Sequence, residues 1–249
     1  MPRLRCGKRR EDCPPRRARY VGAMLFDELT EVLDPEPHAA ALNMALDEVL
    51  LGRAEGPVLR VYRWARAAVS FGYFGKVADV EAAWPGREMV RRWTGGGTVP
   101  HGGTVPHGGD VTYTLLVPRG CAFFRRSAEE GYRAIHERIA VVLAGQGSSV
   151  RVAAAGGVKV SDACFENPAR YDLLADGGKI AGAAQRRTKA GLLHQGSIQG
   201  AVVPADFGAR LGEAFASRLC GRPLAERELA EAQALAAAKY GTDAWLRRF

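Results

Sequence analysis

The stretch from Tyr171 to Ile198 constrains the fold more than any other part of the chain. Tyr171–Asp176 reads as a short strand. Gly177-Gly178 supplies a tight turn, because glycine takes positive φ at little cost, and Lys179–Gln185 starts the return strand. After a basic turn (Arg186, Arg187, Lys189), Gly191–Ile198 reads as a further strand. Strands joined by such short turns pair antiparallel, so a sheet is required here. Gly182, Ala183 and Ala184 are small and let a ligand or another backbone approach closely. Lys179 follows the hairpin turn directly, where its ammonium can reach across a site beside the sheet.

The preceding chain supplies more short strands and a few helices. Leu42–Leu51 is patterned as a helix, with Leu42, Ala45, Leu46, Val49 and Leu50 on one face and Asn43, Asp47 and Glu48 expected to face out. Val58–Trp64 and Ala67–Tyr73 read as strands, and Val77–Trp84 as a short helix. Glu88–Trp93 is a strand entering the turn Thr94-Gly-Gly-Gly97. Three consecutive glycines cost backbone entropy, and their use is close approach of main-chain N–H groups to an anionic or carbonyl group, helped by Arg91 or Arg92. Thr98–Gly103 is then repeated at once as Thr104–Gly109, a six-residue tandem duplication that lengthens one loop and offers two histidines, His101 and His107, for one role.

Asp110–Val117 is a strand stopped by Pro118. Ser127–Leu143 is an amphipathic helix with a Ser cap and acids in its first turn. Alanine-rich helices are expected over Phe207–Leu219 and Pro223–Tyr240, with a last helical turn over Asp243–Phe249. Short strands mixed with helices, without strict βαβ alternation, give an α+β class with a mixed, largely antiparallel sheet flanked by helices.

The formal net charge of +8 is concentrated at one end: residues 1–19 hold eight Lys/Arg against two acids, leaving +2 for the rest. A globally basic nucleic-acid-binding surface is not supported. Residues 1–23 are expected to be a basic, disordered tail; the alternative is upstream sequence read as coding, with Met24 the effective start. The expected boundaries are this tail, a main domain over 24–205 and a C-terminal helical extension over 206–249. An odd count of five widely spaced cysteines, with no signal peptide and no apolar run long enough to span a membrane, points to a reducing cytoplasm.

Three segments, taken in order, resemble the lipoate–protein ligase and octanoyltransferase family, whose catalytic domain is shared with biotin–protein ligases. They are NMALDEVLL (43–51), RRWTGGGTVPHGG with DVTYTLLVP (91–118), and DLLADGGKIAGAAQRRTKAGLLHQGSI (172–198). The resemblance implies a mixed sheet flanked by helices, an apolar tunnel for a lipoyl or octanoyl chain, and Lys179 contacting the acyl carbonyl. One cation beside a polarised carbonyl stabilises the developing oxyanion. Ser161–Pro168 looks like the cysteine segment of the octanoyltransferase branch, with Cys164 as nucleophile.

The resemblance therefore implies transfer of an octanoyl or lipoyl group from acyl carrier protein, through a Cys164 thioester, to a lysine of a lipoyl-domain protein. Acceptors of this kind are the glycine cleavage H protein or a 2-oxoacid dehydrogenase E2. Arg91, Arg92, Gly95, Gly96, Gly97, His101, His107 and Gly182 would bind substrate. This route needs no cofactor and no metal. One alternative is an ATP- and Mg-dependent lipoate–protein ligase with Cys164 merely structural. Another is a non-catalytic protein that binds lipoyl domains or acyl carriers. No DNA-binding or C-terminal β-barrel signature supports a biotin ligase.

Overall fold

The computed structural model describes residues 23–102, 110–145, 149–156, 168–175 and 178–249. Cys164, Gly177 and the second hexapeptide copy, His107 included, lie outside the described residues.

Eight strands form the main sheet. In chain order they are β1 (Phe26–Leu33), β2 (Val58–Tyr62), β6 (Val111–Pro118), β7 (Arg151–Val152), β8 (Leu173–Ala175), β9 (Gly178–Arg187), β10 (Gly191–Ile198) and β11 (Ala216–Pro223). Their spatial order is β11-β1-β2-β6-β10-β9-β8-β7. The pairs β1/β11 and β1/β2 are parallel and the others antiparallel, so the sheet is mixed and mostly antiparallel, as the α+β reading requires. A second, three-stranded sheet holds β3 (Ala68–Phe71) between β4 (Glu88–Arg91) and β5 (Val99–His101).

Strand β6 shows why these residues fold this way. It is buried on both faces, and its threonines, Thr112 and Thr114, share one of them. Alternate residues diverge. Val111, Tyr113, Leu115 and Val117 join the core under α3 (Ala128–Ala144) and α4 (Phe207–Phe215), while Leu116 faces the cluster beneath α1 (Ala40–Arg53). The Ser127 hydroxyl caps α3 in a reciprocal box with Glu130. The short helix α2 (Val77–Ala83) packs Val77 and Val80 against β3.

Two elements differ from the sequence reading. The first is α1: Asn43 and Asp47, expected to face out, are fully buried, and Glu48 is half-buried against Lys239 and Tyr240. The helix is covered on two sides, by the sheet and by α5 (Glu226–Leu235), so a single apolar stripe does not describe it. The polar residues are satisfied by a buried network. Arg60 reaches Asp34 at 2.9 Å, Asp47 at 2.9 Å and Asn43 at 2.7 Å.

The second is the expected helix over Phe207–Leu219, which ends at Phe215. Residues from Ala216 on form β11 alongside β1, with Ala216 opposite Phe26 and Pro223 opposite Leu33. Burial of Leu219 against α4 and a full ladder with β1 override the local alanine propensity. Residues 206–249 thus contribute a sheet strand as well as helices, the last being α6 (Asp243–Leu246).

Candidate active site

A narrow cleft opens where the small sheet meets the main one. Its walls are apolar and narrow on the main-sheet side, where Gly182, Ala183 and Ala184 of β9 lie beside Gly196 of β10. Trp64 and Met44 close it below. Of the residues expected to bind substrate, Arg92, Gly96, His101 and Gly182 line this cleft. Gly95 and Gly96 also face a second, more open cleft beside Tyr132 and Tyr171.

Lys179 begins β9. Its side chain is 2% exposed, and its ammonium pairs with Asp172 Oδ2 at 2.8 Å. Asp172 is held in turn by the Tyr132 hydroxyl, which donates to Oδ1, and by the Ala169 N–H at 2.6 Å. Tyr132 also accepts the Ala183 N–H at 2.9 Å, tying the pair to the cleft wall. Gly182 is required here. A Cβ at that position would sit 2.5 Å from Lys179 Cε and 2.7 Å from Nζ, so the lysine crosses directly over the glycine. Tyr171, just before Asp172, has φ +70°, a left-handed conformation that costs a non-glycine residue energy and is held by its surroundings. Among those bonds is His136 Nδ1–H to the Tyr171 carbonyl at 2.8 Å.

Behind this corner lies a chain of buried neutral groups. Gln185, His194, Tyr113 and His136 are linked at 3.0, 3.3 and 3.2 Å. Burial lowers the His136 pKa to about 4, although the nearby Asp172 charge opposes it. Burial, and then the neighbouring His136, push His194 well below the usual histidine range.

The glycine turn is held from within. Arg92 Nη2 donates to the carbonyls of Gly95 (3.1 Å) and Gly97 (2.7 Å), and Nη1 donates to Ser70 Oγ at 2.8 Å. Gly96 has φ +88°, and a Cβ there would touch Ala184 at 3.4 Å. Thr94 Oγ1 donates to Gln195 Oε1 at 2.7 Å, and Gln195 Nε2 donates to Asp47 Oδ2 at 2.7 Å. The buried network of α1 therefore anchors the turn through β10.

Arg91 behaves differently from its neighbour. Its guanidinium donates to the carbonyls of Tyr73 and Gly75 (2.7 Å each), Trp245 (3.0 Å) and Leu246 (2.7 Å), and Trp245 Nε1 donates back to Arg91 O at 2.9 Å. It fastens α6 to the body and does not line the cleft, in contrast to its expected place beside the ligand.

His101 occupies the cleft wall. It stacks on Trp64 with ring centroids 3.9 Å apart and planes 14° from parallel. Its Nδ1 lies 2.7 Å from Asp110 Oδ2 and its Nε2 lies 2.7 Å from Ser70 Oγ. Asp110 Oδ1 accepts from Ser197 Oγ at 2.8 Å. Burial lowers the His101 pKa, the Asp110 carboxylate opposes that shift, and Arg92 adds to it. His101 thus takes the Asp110 partnership across the duplicated loop, although His107 has the closer spacing in sequence.

Sequence reasoning did not single out Asp172, Tyr132, Ser70 or Gln195. For Asp172 a signal existed: the hairpin that presents Lys179 folds the residues just before the turn onto it. Ser70 and Gln195 reach the cleft through sheet pairing over long sequence separations, and Tyr132 reaches Asp172 from α3, 40 residues earlier in the chain.

The described cysteines, Cys121 and Cys220, form no disulfide, and burial raises the Cys121 thiol pKa. Among the described residues, no group of three His, Cys, Asp or Glu is placed to hold a metal ion, and no helix is long and apolar enough to cross a membrane.

Comparison with known proteins adds a family and a fold. A profile described as the lipoyl protein ligase A/B catalytic domain matches residues 39–211. The chain is 37% identical over 175 residues to an octanoyltransferase LipM of Oceanobacillus iheyensis, an alignment covering 67% of this chain and 62% of that protein. Matches to the curated relatives span 62–63% of their length. Among solved structures, the T. acidophilum protein Ta0514 with bound lipoic acid has a TM-score of 0.67 at 21% identity, over 89% of this chain and 99% of that one. Lipoate-protein ligase A bound with ATP has a TM-score of 0.66 at 21% identity, over 88% and 98%. At such identity the two structures speak for the fold alone.

Proposed function

This chain belongs to the lipoyl protein ligase A/B catalytic-domain family, and on that premise we propose that it transfers an octanoyl or lipoyl group to a lysine of a lipoyl-domain protein. One observation carries the reading. A buried lysine ammonium, fixed by Asp172, lies against Gly182, and Gly182 itself lines an apolar cleft that Gly96 of the glycine turn also lines. The mostly apolar lining suits an acyl chain. Its carbonyl then lies where Lys179 can donate to an oxygen that gains negative charge.

The likeness to octanoyltransferases favours an octanoyl group, and with it we propose octanoyl–acyl carrier protein as donor and Cys164 as the acyl acceptor. The Cys164 thiolate adds to the thioester carbonyl, the C–S bond to the carrier breaks, and the carrier sulfur leaves as a thiolate that takes up a proton from solvent. The acceptor amine then adds to the Cys164 thioester, an amide forms and the thiolate is released. The acceptor would be a glycine cleavage H protein or a 2-oxoacid dehydrogenase E2, and the setting the cytoplasm.

A second reading is an ATP-dependent ligase, favoured by the fold shared with a ligase bound to ATP. Among the described residues lining the cleft, Arg92 suits a phosphate, but no carboxylate stands beside it for Mg²⁺, so the fit to a metal–nucleotide pair is incomplete. Incubation of the protein with a lipoyl domain and either octanoyl–acyl carrier protein or lipoate plus ATP separates the readings. Acylation of the domain by the carrier-borne donor without ATP is the expected result. Acylation only with ATP supports the ligase, and binding without transfer supports a carrier-binding protein.

A further inference from the structure

The proposed reaction, by either route, ends with an amine attacking an acyl carbonyl, and that amine must lose a proton. Lys179 is poorly suited to take it, because its ammonium is engaged by Asp172. Among the described residues lining the cleft, the remaining polar groups are Tyr62, Ser70, Arg92, His101, Thr112, Gln195 and Ser197. Only the imidazole of His101 is a base in reach of neutral pH.

Its wiring fits that task. Asp110 accepts from Nδ1–H, which leaves Nε2 unprotonated and facing Ser70 Oγ at 2.7 Å. Ser70 donates its hydroxyl proton to Nε2. One Oγ lone pair takes Arg92 Nη1–H at 2.8 Å, and the second is available on the cleft side. The Trp64 ring keeps the imidazole in plane.

Resting on the acyl-transfer reading, we infer that Ser70 and His101 form the proton path for the attacking amine. As the amine nitrogen bonds to the acyl carbon, its N–H proton passes to Ser70 Oγ while the Ser70 proton passes to His101 Nε2. The C–S bond (or C–O bond to an adenylate) breaks, and the imidazolium, stabilised by Asp110, later returns the proton to the departed group. No electrons or protons are left over. Serine–histidine–aspartate geometry is here a relay, with Ser70 not itself acylated. The lowered His101 pKa agrees with a ring that is neutral before the proton arrives.

The test separates the two half-reactions. Octanoyl-enzyme is made from octanoyl–acyl carrier protein, isolated, and mixed with a lipoyl domain in a single turnover. General-base catalysis contributes about 10²–10⁴-fold, so Ser70→Ala should slow amine transfer about 100-fold more than it slows enzyme acylation. His101→Ala should behave alike and recover in part with added imidazole. Equal loss in both half-reactions, or no loss in the second, overturns the proton path while leaving the transferase reading intact. Absence of transfer by the wild-type protein with either donor overturns both.

Should the variants fail to fold, the wild-type pH profile decides. With a weakly basic acceptor such as methoxyamine, the rate should fall as pH drops through a titration below 6.5, the ordinary histidine value. The groups facing His101 are Asp110, Ser70, Arg92 and the uncharged Trp64. A flat profile across that range overturns the inference.

Discussion

Gly182→Ala separates a catalytic lysine from a merely structural one. The new Cβ would meet Lys179 Cε at 2.5 Å and Nζ at 2.7 Å, and Asp172 Oδ1 at 3.3 Å. Carbon atoms in contact prefer roughly 3.5–4.0 Å, so the lysine tip must move by about 1 Å or more. It is the far end of a flexible chain and can move. The backbone at Gly182 has no positive φ and accepts alanine. Asp172 keeps Tyr132 and the Ala169 N–H after the lysine shifts, so no carboxylate is left bare. The stability loss should therefore be modest, about 1–2 kcal/mol, or a few degrees in Tm for a domain of this size.

Activity should fare worse. A misplacement of about 1 Å at the reacting group costs on the order of 100-fold. The assay is acyl transfer to a lipoyl domain at saturating donor, with Tm measured on the same preparation. Gly196→Ala is the contrast, because its Cβ would strike the rigid Tyr113 ring at 2.3 Å, and it should lose Tm and activity together. Gly182→Ala protein that is folded and within threefold of wild-type kcat would refute the reasoning, as would a collapse in Tm as large as that of Gly196→Ala.

Three further outcomes rest on the same geometry. Arg91→Lys should loosen α6 and lower stability by about 2–4 kcal/mol in urea unfolding, because one ammonium cannot span four carbonyls as the guanidinium fork does. Asp47→Ala should cost about 3–5 kcal/mol, since it strips one carboxylate from buried Arg60 and unpairs Gln195, which holds the glycine turn through Thr94. Stability should also fall in mild acid. His136 has a folded pKa of about 4 against an ordinary 6.5, so the unfolded chain binds more protons between those values. Denaturant unfolding should show a loss of about 2 kcal/mol from this group between pH 7 and 5, absent in His136→Gln.

The parts of the fold legible in sequence were those written in local pattern. The β8–β9–β10 segment, the capped α3 and the glycine turn each carry their own signals, and each formed. What stayed hidden depended on partners far along the chain. Asp47 and Asn43 lie on the polar side of α1, yet Arg60 from β2 and the covering α5 turn that side into an interior. Ala216–Pro223 carries no strand pattern strong enough to set it apart from the alanine-bearing helix before it, and the β1 ladder decides it. Arg91 and Arg92 are neighbours in an extended segment, where side chains alternate, so only one could serve the cleft. Sequence cannot say which face the ligand takes. Lys179, Gly182, Gly96 and Arg92 were found because the turn and hairpin are local. Asp172 was within reach of the same local hairpin, whereas Tyr132 and Ser70 needed the assembled core.

The central claim is that acyl groups pass through a thioester on Cys164 on their way to an acceptor lysine. The most direct test is the intact mass of the protein after incubation with octanoyl–acyl carrier protein without ATP, with Cys164→Ser alongside. The account predicts one octanoyl adduct that hydroxylamine removes and that the variant lacks. No adduct on the wild-type protein, with acceptor lipoylation appearing only when lipoate and ATP are supplied, would contradict it.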